Sequence, residues 1–117
     1  MSPPGARLVG VLSSRWTIAV LAELQPTGRR YQDLRDALDG ISDKVLTETL
    51  RLAERDGLIH RHLDAELIQT TTLYELTDLG RSLEVPLAAM AEWEARGWQM
   101  VEAARSEWDA KRKSHRN

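Results

Sequence analysis

Apolar positions recur along this chain at helical spacing over most of its length and change to alternation in one region only. Leu8, Val9 and Leu12 share one face of a first helix over residues 5–12, and Ser13-Ser14 cap a second helix from Trp16 to Leu24. In that second helix Trp16, Val20, Leu21 and Leu24 form an inward stripe. Pro26-Thr27-Gly28 punctuates the chain, and Arg30 to Leu38 reads as a short third helix with Tyr31, Leu34, Ala37 and Leu38 on one face, stopped by Asp39-Gly40. Ser42 is a good N-cap, Asp43 suits the positive end of the helix dipole, and a fourth helix runs to Asp56 before Gly57 ends it. Val45, Leu46, Thr49, Leu50 and Ala53 make its buried stripe, which leaves Lys44, Thr47, Glu48, Arg51, Glu54 and Arg55 outside. From Leu58 to Leu63 and from Thr70 to Leu76 the pattern alternates and favours β-branched residues, so two strands follow, with Asp64 to Gln69 as the hairpin tip. Thr77 caps a further helix whose apolar positions run through Leu79, Leu83, Leu87, Met90, Trp93, Met100, Val101, Ala104 and Trp108. Pro86 removes a backbone donor there, which predicts a short helix to about Glu84 and a longer one after it.

Composition narrows the class. With 117 residues, 42% hydrophobic and 29% charged, the chain has the size and make-up of one globular domain, and it lacks the ~18-residue apolar run that a membrane span requires. Its start carries no secretory signal pattern, so the expected location is cytoplasmic, with no membrane partner. No cysteine is present, which excludes disulfides, thiolate metal sites and thiol redox sensing within these residues. The net charge of -2 does not advertise nucleic-acid binding, but residues 1–61 hold nine basic and eight acidic side chains against seven and ten in residues 62–117. The N-terminal half is the better anion-facing half, although counts alone fit ordinary solvated surface equally well. The basic tail from Lys111 to Asn117 reads as a helix end fraying into solvent.

Helix, helix, short glycine turn, helix and then a hairpin is the order of a winged helix-turn-helix, in which the helix after the turn enters the major groove. The segment from Gly40 to Arg61, the later Tyr74-Glu75-Leu76-Thr77-Asp78-Leu79-Gly80, and upstream Arg15-Trp16-Thr17 with Gly28-Arg29-Arg30-Tyr31-Gln32-Asp33-Leu34 resemble the HxlR family of bacterial transcription regulators, within the MarR-like superfamily. The likeness spans about Ser14 to Trp93. It implies a mainly α fold with a small β-hairpin, a winged helix-turn-helix with N- and C-terminal dimerisation helices. On this reading residues 1–117 form a single such domain, with its core at about 14–93, a dimerisation helix at about 86–112 and a frayed tail at 113–117. The implied function is sequence-specific regulation, as a repressor, by a homodimer on a double-stranded DNA operator.

Each matched position also has a physical reading of its own. Trp16 and Tyr31 are expected to anchor the core, and Gly57 lets the chain leave the helix into the first strand. The recognition helix, 42–56, presents Ser42, Lys44, Thr47, Glu48 and Arg51 to DNA. Lys44 and Arg51 suit phosphates or guanine, Ser42 and Thr47 suit phosphates or base edges, and Glu48 suits cytosine N4. Arg29 and Arg30 precede the third helix, where the family places backbone contacts, and Arg61 or His62 can join them at the wing, 63–71.

Departures from the family pattern subtract mechanisms. Oxidant-sensing members use a cysteine ahead of the first conserved helix, where this chain offers Ser13 and Ser14. The wing carries Gln69-Thr70-Thr71-Thr72-Leu73-Tyr74 in place of the proline pair and arginine common in the family. It also carries Asp64 and Glu66, which phosphates repel. The resemblance implies a dimer interface at Leu8, Leu12, Met90, Trp93, Gly97, Met100, Ala104 and Trp108, the last five being one helical stripe. Trp93, Trp98 and Met100 are also candidates to hold a small aromatic or apolar effector, although such stripes are packing more often than pockets.

Other classes fit less well. His60 and His62 share one strand face where two imidazoles can meet a metal, but a third ligand would have to come from Asp64 or Glu66, so no metal, no cofactor and no enzymatic activity are expected. The rival reading is a dimeric winged-helix protein-interaction module that has lost DNA binding, favoured by the acidic balance and altered wing and opposed by the polar face of the fourth helix.

Overall fold

The computed structural model describes residues 3–12, 14–64 and 71–115. Among these described residues six helices and three strands follow in the order α1 (Ala6–Val11), α2 (Arg15–Leu24), β1 (Arg29–Arg30), α3 (Tyr31–Ala37), α4 (Asp43–Arg55), β2 (Ile59–Asp64), β3 (Thr71–Leu76), α5 (Asp78–Arg81) and α6 (Glu84–His115). The expected mainly α winged helix-turn-helix with a hairpin is the architecture found. Ser13, the greater part of the hairpin tip with Glu66, and the last two tail residues lie outside the described residues.

Two compact units divide the chain, Met1–Glu84 and Val85–Asn117. In the first, α2, α3, α4 and the sheet enclose a core in which Val20, Leu21, Leu24, Leu34, Leu46 and Ile59 are fully buried. Each such side chain contributes about 1.5–3 kcal/mol relative to exposure. Around them Leu38, Ile41, Leu50, Ala53, Leu58 and Leu76 are also buried, as is Thr49. The α4 stripe is therefore as the periodicity predicts, except that Val45 is half-buried. Ala37 departs further and is exposed, and Trp16 and Tyr31 are half-buried rather than sealed in the core. Arg15 lies over the Trp16 ring, 4.9 Å from its centroid, so a cation covers one face of the indole.

Local chemistry fixes the boundaries of α4. Ser42 Oγ accepts from the Val45 N–H at 3.2 Å, satisfying one of the donors a helix start leaves open. At the other end Gly57 has φ +77°, the Leu58 N–H donates to Ala53 O at 2.9 Å and the Gly57 N–H donates to Glu54 O at 3.0 Å. That paired arrangement is a Schellman cap, and it turns the chain directly into β2.

The sheet is antiparallel in the order β1-β3-β2. In the hairpin Ile59 faces Leu76, His60 faces Glu75, Arg61 faces Tyr74 and His62 faces Leu73. The two-residue β1, which pairs Arg29 with Tyr74 and Arg30 with Leu73, is absent from the sequence reading. Thr77 then links three elements. Its hydroxyl donates to Gly57 O at 2.5 Å and accepts from the Gly80 N–H at 3.0 Å, while its own N–H donates to Leu58 O at 3.0 Å. Gly80 is buried so closely against β2 that a Cβ there would stand 2.1 Å from Leu58 O.

In the second unit, α6 runs for 32 residues without a break at Pro86. The interruption expected there falls earlier, at Ser82-Leu83, and Pro86 occupies the first turn, where a missing N–H leaves no intrahelical bond unmade. No residue of α6 is buried. Met90, Trp93, Met100 and Trp108 are 50–75% exposed. Among the described residues no helix is long and apolar enough to cross a membrane.

Candidate nucleic-acid interface

The exposed side of α4 carries the polar residues its periodicity leaves outside. Ser42, Lys44, Thr47, Glu48 and Arg51 are all exposed, and Lys44, Thr47, Glu48 and Arg51 line one shallow hollow together with Asp43. Neither Lys44 nor Arg51 makes an ion pair among the described residues, so both cations are available to an anionic partner.

How α4 is held follows from three residues the sequence reading did not assign to the site. Arg35, on α3, donates from Nη1 to Asp43 Oδ1 at 2.5 Å and from Nε to Ile41 O at 3.1 Å. Tyr31 donates its hydroxyl to the same Asp43 Oδ1 at 2.8 Å, and its oxygen lies 3.4 Å from Thr47 Oγ1. Asp43 thus binds α3 to the first turn of α4, and Arg35 compensates the negative charge it places at that helix start. The ring of Tyr31, expected as a core anchor, is instead a strut whose polar end reaches the exposed face. No spacing rule signals this clamp, because its members are eight and twelve residues apart across a turn.

The basic residues ahead of α3 are more constrained than their sequence suggests. Arg29 is half-buried in β1, with Nη2 3.8 Å from Glu23 Oε2, and its buried Nε has no hydrogen-bond partner. Arg30 is half-buried at the N-cap of α3, where its N–H donates to Asp33 Oδ2 at 3.2 Å. Arg61 is exposed on β2 but pairs with Glu54 of α4 at 3.1 Å, a bond that fastens the strand to the helix. The outer wing, where Glu66 was expected to repel phosphates, falls in residues 65–70, outside the described residues. The structure therefore assembles Ser42, Lys44, Thr47, Glu48 and Arg51 on one face, and leaves Arg29, Arg30 and Arg61 in separate local contacts.

The expected interface residues divide between the two units. In the first, Leu12 is buried and Leu8 half-buried. On α6, Met90, Trp93, Met100, Ala104 and Trp108 are exposed, and the Trp93 ring lies over Gly97, 3.3 Å from where a Cβ would stand. Two members of the candidate ligand trio make separate contacts along this helix. Trp98 donates its indole N–H to Glu102 at 3.0 Å and lies under Arg105, while Trp93 turns to Gly97. A shallow apolar hollow forms lower down, lined by Val101, Ala104, Arg105 and Trp108.

On the outer face of the sheet, His60 and His62 meet Glu75, at 3.9 and 3.4 Å. Among the described residues a third partner thus comes from across the ladder.

Comparison with known proteins agrees with this architecture. The HxlR-like helix-turn-helix family model matches residues 11–102. The HTH-type transcriptional regulator YtfH of Escherichia coli (strain K12), itself uncharacterized, is 31% identical over 90 residues, 77% of this chain and 71% of that protein. The solved structure of the transcriptional regulator ytfH from Salmonella typhimurium superposes with a TM-score of 0.71 at 30% identity, covering 88% of this chain and 91% of that one. The redox regulator HypR in its reduced form gives 0.77 at 26% identity, covering 86% and 99%.

Proposed function

Since this chain belongs to the HxlR-like helix-turn-helix family of transcriptional regulators, with DNA as its partner, we propose that it is a homodimeric, cytoplasmic repressor that reads its operator through α4. Lys44 and Arg51 bond phosphates or guanine edges, Ser42 and Thr47 take phosphates or bases, and Glu48 selects against bases that offer no donor. Arg30 and Arg61 flank this contact at the backbone. The observation that carries the reading is the exposed, unpaired pair Lys44 and Arg51 on a helix whose start is clamped to α3 through Asp43. A reading helix has to be held rigidly if its side chains are to discriminate bases.

The dimer is assigned to the open stripe Met90, Trp93, Gly97, Met100, Ala104 and Trp108. Large apolar side chains left exposed together mark an interaction surface, and a second copy offers the same stripe in return. Two copies related by a two-fold axis bind half-sites spaced by about 10 bp or a multiple of it. All 117 residues serve this one regulator, with residues 86–112 for pairing. HypR is described as a redox regulator, but with no cysteine here control by thiol oxidation is not part of the proposal.

The test is binding of the purified protein to the intergenic DNA upstream of its own gene, against a scrambled competitor, at two salt concentrations. Sequence-preferring binding that weakens with salt supports the reading. Failure on that DNA and on genome-derived fragments would replace it with the protein-interaction module.

A further inference from the structure

His60 and His62 project from one face of β2, and the antiparallel register sets Glu75 of β3 directly opposite His60. The Nε2 atoms lie 3.9 and 3.4 Å from the two carboxylate oxygens, and one donor atom from each of the three residues falls within 4.8 Å of the others. The imidazoles are stacked, with centroids 5.4 Å apart and 26° between their planes, so both rings present nitrogens to the same side. All three side chains remain open to solvent, at 49%, 42% and 33% exposure, leaving an entry path.

A tetrahedral ion with ligand bonds of about 2.0–2.2 Å keeps its ligand atoms roughly 3.4 Å apart. The His62–Glu75 spacing already meets that figure, and the remaining separations close by about 1.5 Å or less through side-chain rotation. Two imidazoles with one carboxylate suit borderline divalent ions, whereas calcium and magnesium call for more oxygen ligands. The backbone also accommodates Glu75. A Cβ at Gly28 would stand 2.6 Å from Glu75 Cγ, so the neighbouring edge is bare where this side chain lies.

We propose that His60, His62 and Glu75 form a binding site for a divalent transition ion of the zinc class, which fastens β2 to β3 at the base of the wing. Three protein ligands leave the fourth position to water or an incoming donor. The site is separate from the exposed face of α4, and it stands or falls independently of DNA recognition.

The experiment is calorimetric titration of the full chain with Zn²⁺ in a non-coordinating buffer, with Co²⁺ as a visible-absorption probe of four-coordinate geometry. One ion per chain is expected, together with the Co²⁺ absorption bands and a raised Tm. His62→Ala and Glu75→Gln should each weaken binding at least ~10-fold, since even second-shell changes cost that much. His115→Ala, which alters the one histidine outside the cluster, should bind as the parent does. Absence of saturable binding, or affinity unchanged in both His62→Ala and Glu75→Gln, overturns the proposal and leaves the trio a surface ion pair.

Discussion

Replacing Arg35 with alanine separates the stability of the fold from the electrostatics of α4, the helix proposed to read DNA. The ion pair with Asp43 joins side chains that are 36% and 68% exposed. Solvent screens such a pair, and it contributes ~0.2–1 kcal/mol to folding. The bond from Arg35 Nε to the partly buried Ile41 carbonyl adds about 0.5–1.5 kcal/mol. Arg35→Ala should therefore lower unfolding free energy by about 1–2 kcal/mol in urea titrations. Its effect on DNA has another origin. With the guanidinium gone, the Asp43 carboxylate at the start of α4 is uncompensated, and a phosphate at ~6 Å would repel it by roughly 0.7 kcal/mol in bulk water or ~2.8 at an effective dielectric of 20. Between those limits lies a loss of about 1–2 kcal/mol, some 5- to 30-fold in Kd, which shrinks as salt rises. Fluorescence anisotropy on a labelled operator reads it. Adding Asp43→Asn removes the repelling charge but not the missing Ile41 bond, so the double variant should regain affinity while staying destabilised. Unchanged affinity in Arg35→Ala, or no recovery in the double variant, would refute this account of the clamp.

Three further expectations are independent of that one. Lys44→Ala and Arg51→Ala should each weaken operator binding by ~1–3 kcal/mol if they contact base edges, with circular dichroism and oligomeric state unchanged; normal binding by both would reject α4 as the reader. Gly80→Ala drives a Cβ into the Leu58 carbonyl and should cost about 1–2 kcal/mol, the upper part of the ~1–3 for overpacking less the ~1 that alanine gains in helix propensity, seen as a lowered urea midpoint. Trp93→Ala with Trp108→Ala removes two exposed indoles of the α6 stripe and should shift sedimentation from dimer towards monomer at micromolar concentration, whereas an unaltered dimer would place pairing elsewhere.

The parts of this molecule readable from sequence were those governed by near neighbours. Ser42 and Gly57 delimit α4 because capping is decided within four or five residues, and the apolar stripe of that helix follows from its period. Pairing between distant segments was not readable in the same way. Arg29-Arg30 has no alternation to mark it as a strand, and β1 exists only because β3 lies alongside, more than forty residues later. The pairing of Glu75 with His60 is illegible for the same reason, since a hairpin's register depends on its turn. Tyr31 illustrates a different loss. Its ring fits an inward stripe, and only the position of Asp43 shows that its hydroxyl is the part that matters.

Most of the cations around the reading helix already have carboxylate partners. Arg35 is held by Asp43, Arg55 by Asp56, Arg61 by Glu54 and Arg29 by Glu23, whereas Lys44 and Arg51 on the exposed face of α4 have no such partner among the described residues. Through α4 alone a dimer of the proposed kind would neutralise roughly four phosphates on random sequence, fewer than the six to ten of strongly salt-dependent binders, so the flanking Arg30 and Arg61 decide how firmly non-specific DNA is held. With those two withheld, such a regulator would rest only briefly on the bulk of the chromosome and sample it by frequent release. Fewer copies would then be sequestered by irrelevant sequence, and a small cellular pool would keep an operator occupied.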